Sequence, residues 1–315
     1  MVMRSGLKAE THMAHTRQTT ISRKVSCAGI GVHSGARARL TLLPAATNTG
    51  IRFVRIDAPE GTGEIQAHAD AVSDTQLGTT LSNAHGVSVA VVEHLLAAIA
   101  GVGIDNLRIE IDGPEVPIMD GSSSVFYELL MLAGQKAQGA ARQRIRILET
   151  IEVREGPKRA TLSPSNGDVL TLRARIEYDD QHIGVQQMAM KLAPGMFARD
   201  LAFARTYGFA RDVEMLRSMG LARGGSLENA VVIGEDGVMN PEGLRIEDEF
   251  VRHKMLDAVG DLMLAGAPIA GDYDAVQPGH GLNNKLVRKL LATPSAWCWE
   301  DAGAQAVRED ARAAV

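Results

Sequence analysis

The sequence predicts an α+β protein built of two similar halves. Three observations carry this. The chain has 315 residues, about twice the ~150 of a typical domain. Short alternating strands and apolar helices follow one another in both halves, and the second half repeats the order of the first. With 45% hydrophobic and 23% charged residues, the chain is ordinary globular protein and excludes disorder, collagen and coiled coil.

Taken in order, residues 1–16 are polar and unpatterned and are expected to be a disordered tail. Residues 36–43 (ARARLTLL) alternate as a half-buried strand does, and Pro44 ends it. Asn48, Thr49 and Gly50 make a turn, and residues 51–56 (IRFVRI) return as a strand. Residues 88–92 read as extended. Residues 93–100 (EHLLAAIA) read as helix with Gly101 at the C-terminal cap. Residues 107–111 (LRIEI) alternate again, 124–132 form a second helix, and 137–144 (AQGAARQR) are the best linker.

The second half reuses this grammar. GPKRATLSP at 156–164 matches GARARLTLLP at 35–44, and each is followed by a turn glycine and an alternating strand. His94 and His253 each open an apolar helix. Pro44 and Pro164 are 120 residues apart but the histidines 159, so the second half carries 39 more residues between these landmarks. The extra length takes in a helical stretch at 212–219 (DVEMLRSM) and a strand-like one at 230–233 (AVVI).

Several function classes drop out on charge and hydropathy. The net charge of −5, with no basic run, argues against nucleic acid as a partner. Two cysteines, Cys27 and Cys298, give neither a disulfide framework nor a CxxC pair. The N-terminus has no apolar signal segment. The longest apolar run, 87–104, holds Glu93 and His94 at its centre, which argues against a transmembrane span. These features point to the cytoplasm, and nothing in them demands more than a monomer.

The strongest chemical signal is VRHKMLDAVGDLML at 251–264. On a helix His253, Asp257 and Asp261 fall within an arc of about 80°, with Met255, Leu256, Val259, Leu262 and Met263 opposite. A histidine and a carboxylate four apart can reach one metal ion; a solvated polar stripe is the ordinary alternative. Glu93 and His94 tip the balance, because an ionisable pair in so apolar a run is costly to bury unless paired or metal-bound. A buried Glu93 would have its pKa raised toward the range of a general base. His280, in GHGLNN at 279–284, is expected on a loop that leaves its ring accessible to act as acid or base. Two histidines and an aspartate suit zinc hydrolysis or a non-haem iron triad; the helical spacing and the adjoining glutamate favour hydrolysis.

These residues also carry a family likeness. GIGVHSG (29–35), VEHL (92–95), GIDN (103–106), PIMDGS (117–122), ART (204–206), EFVRHKMLD (249–257) and GHGLNNK (279–285) stand in one order. The chain resembles the zinc-dependent UDP-3-O-acyl-N-acetylglucosamine deacetylases of bacterial lipid A synthesis over residues 17–292. The resemblance implies two domains (17–140 and 141–292, then a C-terminal tail 293–315), each a β-sheet layered against α-helices, with the metal site at their interface. It makes His94, His253 and Asp257 ligands of one Zn2+, with Fe2+ an alternative, and Glu93 the general base. Thr206 would hold the oxyanion, His280 would protonate the leaving amine, Asp261 would orient His280, and Lys254 would add positive charge. His33 and Tyr207 would contact the UDP-sugar substrate, and an insert in the second domain would enclose its acyl chain with Val213, Leu216, Leu227 and Val232. Tyr207, Ala222 and Gln76 stand where the family commonly has Phe, Cys and Met; these bear on acyl length, not on the reaction. The rivals are a zinc amidase for another acylated amino sugar, a non-catalytic sugar-nucleotide binder and an iron oxygenase.

Overall fold

The computed structural model describes residues 16–302. Alternation in the first half becomes a five-stranded sheet with one face buried: Leu40, Leu42, Phe53, Ile109 and Ile111 all point into the core. Arg37–Pro44 lies between Val25–Ile30 and Leu107–Ile111, antiparallel to both. Ile51–Arg55 runs parallel to Leu107–Ile111, and Glu64–Gln66 closes the edge antiparallel.

The second half builds the same sheet. Lys158–Ser163 lies between Ile151–Glu155 and Ile269–Val276, antiparallel to both. Leu170–Glu177 is parallel to Ile269–Val276, and Val185–Lys191 pairs antiparallel at the edge. Order and direction of these five strands match, while Gln143–Ile147 and Trp297–Asp301 extend the second sheet to seven, so the repeat seen in the sequence is a repeat of topology and the chain is α+β.

The described helices are α1 (Glu93–Val102), α2 (Ser124–Ala133), α3 (Met196–Asp200), α4 (Val213–Ser218), α5 (Glu249–Leu262) and α6 (His280–Leu291). Parallel neighbours need a crossover, usually a helix. That crossover contains α1 in the first half and α5 in the second. The two pack directly on each other, with α2 beside α1 and α6 beside α5. Duplication therefore brings these two histidine-bearing helices face to face, although His253 lies one turn inside α5 and does not open it as expected.

A small residue permits the approach. A Cβ on Gly260 of α5 would lie 2.1 Å from the Glu93 carbonyl oxygen. Alanine is worth about 1 kcal/mol more than glycine inside a helix, but here it meets rigid backbone, and overpacking costs about 1–3 kcal/mol. Gly260→Ala is expected to lower the melting temperature by several degrees; a rise in a thermal melt would contradict this packing.

Four further expectations are corrected. His280 is the first residue of α6, not a loop residue, because Gly279 is extended and the helix starts immediately after it. Helix α1 runs through Gly101 to Val102 and is capped by Gly103 at φ 85°. Gly101 serves instead to admit Phe197, whose ring would be 2.3 Å from a Cβ there. The 137–144 linker is strand: Gln135–Ala141 pairs with Arg17–Ile21, and Gln143–Ile147 with the second sheet. The segment from 293 is not loose throughout, since Trp297–Asp301 is antiparallel to Gln143–Ile147. Of the expected tails, residues 1–15 and 303–315 lie outside the described residues.

Candidate active site

Each site residue is placed by an element already described. Glu93 and His94 form the first turn of α1, while His253, Lys254, Asp257 and Asp261 share one face of α5 and His280 opens α6. His253, Asp257 and Asp261 are only 2%, 2% and 1% exposed. That removes the solvated-stripe alternative, because α5 lies between the layers and is buried on its polar side as well.

His94, His253 and Asp257 offer ligand atoms that all lie within 4.8 Å of one another. The Asp257 Oδ1 faces the Nε2 atoms of His253 at 3.3 Å and His94 at 3.6 Å. This Oδ1 and the His94 Nδ1 are buried with no hydrogen-bond partner. Orphaned polar atoms in a buried interior are costly; a cation among the two Nε2 atoms and the Asp257 Oδ1 answers that cost for the Oδ1, so the donor set fits a metal. His253 is prepared for it. Its Nδ1 lies 3.1 Å from the Ala204 carbonyl, which can only accept, so the lone pair is on Nε2. Burial pushes its pKa down to about 3, leaving the ring neutral.

Lys254 Nζ donates to Asp257 Oδ2 at 2.9 Å. Burial alone would raise Asp257, but the positive charges beside it, Lys254 and then His280, outweigh burial and hold the carboxylate well below its usual range. The Lys254 pKa is raised in return: burial opposes this, and Asp257 wins.

The remaining polar groups form a second cluster. Burial raises the Glu93 pKa against the pull of His280 and His94. His280 Nε2 is 3.8 Å from Glu93 Oε1, and its Nδ1 donates to Asp261 Oδ2 at 3.0 Å. Although burial disfavours the imidazolium, Asp261 and Glu93 prevail and push His280 up to about 9. The site thus sets a Glu93 carboxyl of raised proton affinity beside an imidazole that keeps its proton up to about pH 9, the arrangement of a base and an acid.

The other expected residues are nearby or on the insert. Thr206 follows Ala204 and Arg205; its N–H donates to the Gly121 carbonyl. Tyr207 stacks edge-on against Phe250 and His253, and its hydroxyl meets Tyr178 at 3.0 Å. His33 spans two segments, with Nε2 against the Leu77 carbonyl and Nδ1 accepting from the Ala222 N–H. Val213 and Leu216 are half-buried on α4, Val232 is half-buried in the strand Val231–Gly234, and Leu227 is exposed. Those four belong to the insert and not to the ligand cluster. Met215, Met219 and Met239 in the same insert are more than half exposed.

Sequence reasoning missed the supporting residues. Asn283 donates to Asp261 Oδ2, and Tyr273 donates to Asn283. The helical spacing from His280 to Asn283 could have found the first. Arg205 is held in a buried pair with Glu249, at the start of α5, which fixes the backbone on both sides of it. Thr79 reaches Asp261 across 182 residues of chain, a contact no local pattern shows.

A family model described as UDP-3-O-acyl N-acetylglycosamine deacetylase matches residues 18–292. A relative from Phenylobacterium zucineum, named UDP-3-O-acyl-N-acetylglucosamine deacetylase, is 50% identical over 280 residues, covering 89% of this chain and 95% of the relative. Proteins of the same name from Anaeromyxobacter (47% identical; 90% of this chain, 91% of the relative) and Haemophilus influenzae (47%; 89% and 92%) are similar to it as well.

Proposed function

The chain belongs to the UDP-3-O-acyl N-acetylglycosamine deacetylase family, and on that premise we propose that its metal is zinc, held by His94, His253 and Asp257, with Glu93 and His280 as base and acid. The protein is a hydrolase of lipid A biosynthesis. It removes the N-acetyl group from UDP-3-O-acyl-N-acetylglucosamine and releases acetate. The observation that carries the assignment is the buried, unpartnered Asp257 Oδ1 facing two imidazole nitrogens. Three protein ligands, two imidazoles and one carboxylate, suit a catalytic zinc site.

Held by His94, His253 and Asp257, zinc would supply Lewis-acid activation of water and of the substrate carbonyl. The chain's own groups handle the protons. Glu93 accepts one at Oε1 as water adds to the N-acetyl carbon, and His280 delivers one from Nε2 to the departing amine. The C–N bond breaks to give acetate and the free amino sugar. Asp261 keeps the His280 Nδ1 protonated and the ring oriented, Lys254 adds positive charge beside Asp257, and Thr206 supplies a donor to the developing oxyanion. Tyr207 and His33 would contact the UDP-sugar. The acyl chain lies against the insert, where Val213, Leu216, Leu227 and Val232 stand among exposed methionines; each methylene enclosed contributes about 0.8 kcal/mol. Among the described residues no helix is long and apolar enough to cross a membrane. We place the protein in the reducing cytoplasm, where Cys27 and Cys298 stay free thiols.

The test is acetate release from UDP-3-O-(3-hydroxyacyl)-N-acetylglucosamine. Turnover is expected to vanish after chelation and to return with Zn2+. Turnover that survives removal of all metal would refute the metal assignment, and turnover of the N-acetyl sugar without an acyl chain at equal efficiency would refute the role of the insert.

A further inference from the structure

We propose that Thr79 is a positioning residue that ties the catalytic base to the carboxylate holding the acid, an inference that rests on the acid–base reading of Glu93 and His280. Thr79 is 1% exposed and reaches the site from a loop of the first half. Its backbone N–H donates to Glu93 Oε2 at 2.9 Å, and its hydroxyl donates to Asp261 Oδ1 at 2.6 Å. Its carbonyl accepts from the Val92 N–H at 3.2 Å, at the entry to α1. One residue thus holds an oxygen of each carboxylate while being pinned to the helix that carries Glu93.

The consequences are geometric. With Oε2 engaged, Glu93 presents Oε1 toward His280 Nε2, 3.8 Å away. With Oδ1 engaged by Thr79, Asp261 keeps Oδ2 for His280 Nδ1 and Asn283 Nδ2, and Asn283 is itself braced by Tyr273. Asp261 is thereby saturated from both halves of the molecule: Thr79 from the first, Asn283 and Tyr273 from the second. Base and acid keep their spacing because the same threonine spans the junction between α1 and α5. Only a residue with a β-hydroxyl makes both bonds. Valine copies its shape but strands a buried carboxylate oxygen without a donor.

The test uses the zinc-loaded full chain and the variants Thr79→Val, Thr79→Ser, Asp261→Asn and Thr79→Val/Asp261→Asn. Thr79→Val is expected to lower kcat by about tenfold to a hundredfold, the usual cost of losing such a supporting bond, with KM and bound zinc unchanged. Thr79→Ser restores kcat to within about threefold, and the double variant is no slower than Asp261→Asn, since both act through one bond. If Thr79→Val does not fold, Thr79→Ala carries the same comparison. A Thr79→Val kcat near that of the parent, a loss seen only in zinc content or melting temperature, or losses that multiply in the double variant would overturn the inference. Glu93→Gln run alongside separates the two readings. If it is inactive while Thr79→Val is unimpaired, only the Thr79 role falls; if Glu93→Gln is fully active, the acid–base reading falls and this inference with it.

Discussion

Glu93→Gln is expected to lower kcat by about 10²–10⁴-fold, the range spanned by a positioned acid or base, while leaving bound zinc and the fold intact. Glutamine keeps the length of the side chain and an oxygen to accept from the Thr79 N–H, so only the charge and the proton-accepting atom are lost. The same two groups set the pH dependence of kcat/KM. Burial raises Glu93, so its acid limb lies above the usual carboxylate range: below that pKa the carboxyl is protonated and accepts nothing. The alkaline limb lies near 9, where His280 gives up the proton it must donate. The limbs belong to the pair as a unit, because the groups interact. His280→Gln is expected to remove the alkaline limb. A Glu93→Gln enzyme keeping more than a tenth of the parental kcat would rule out this base.

His253→Ala is expected to remove the metal and the activity together. On the proposed assignment the ring is one of three ligands, and it faces the Asp257 Oδ1 at 3.3 Å. Losing a supporting residue of a metal ligand already costs about 10–100-fold in metal affinity, so losing the ligand itself costs more. Metal analysis of the purified variant should show well under one zinc per chain, with acetate release undetectable. Asp261→Asn is the control: it touches His280 and not the ligand cluster, so it keeps zinc while losing rate. His253→Ala with full metal content and full turnover would dismantle the site.

The strands were legible because each has one buried face, and period-two alternation at 36–43, 51–56 and 107–111 reports that directly. The helix at 251–264 was legible for a different reason. Its polar residues recur every four positions, which only a helical face explains economically, although the same pattern suits a surface stripe and a buried site. In two of the places where the sequence misled, the cause was a glycine read locally. Gly101 looked like a cap and is an opening for Phe197, and Gly279 and Gly281 suggested a loop where α6 begins. The insert was placed by length alone; which of its side chains face a substrate is not written in any period.

By itself, the sequence determined the repeated order of strands and helices, the two helices that carry His94 and His253 and the His253–Asp257–Asp261 face, because short-range periodicity encodes burial within one element. Only the tertiary structure decided that α1 and α5 pack with Gly260 against the Glu93 backbone, that Asp261 is shared by Thr79, His280 and Asn283, and that the stripe is buried. Those contacts join residues far apart in the chain, 182 positions for Thr79 and Asp261. They are fixed by how two sheets press their crossover helices together, which no window of sequence contains.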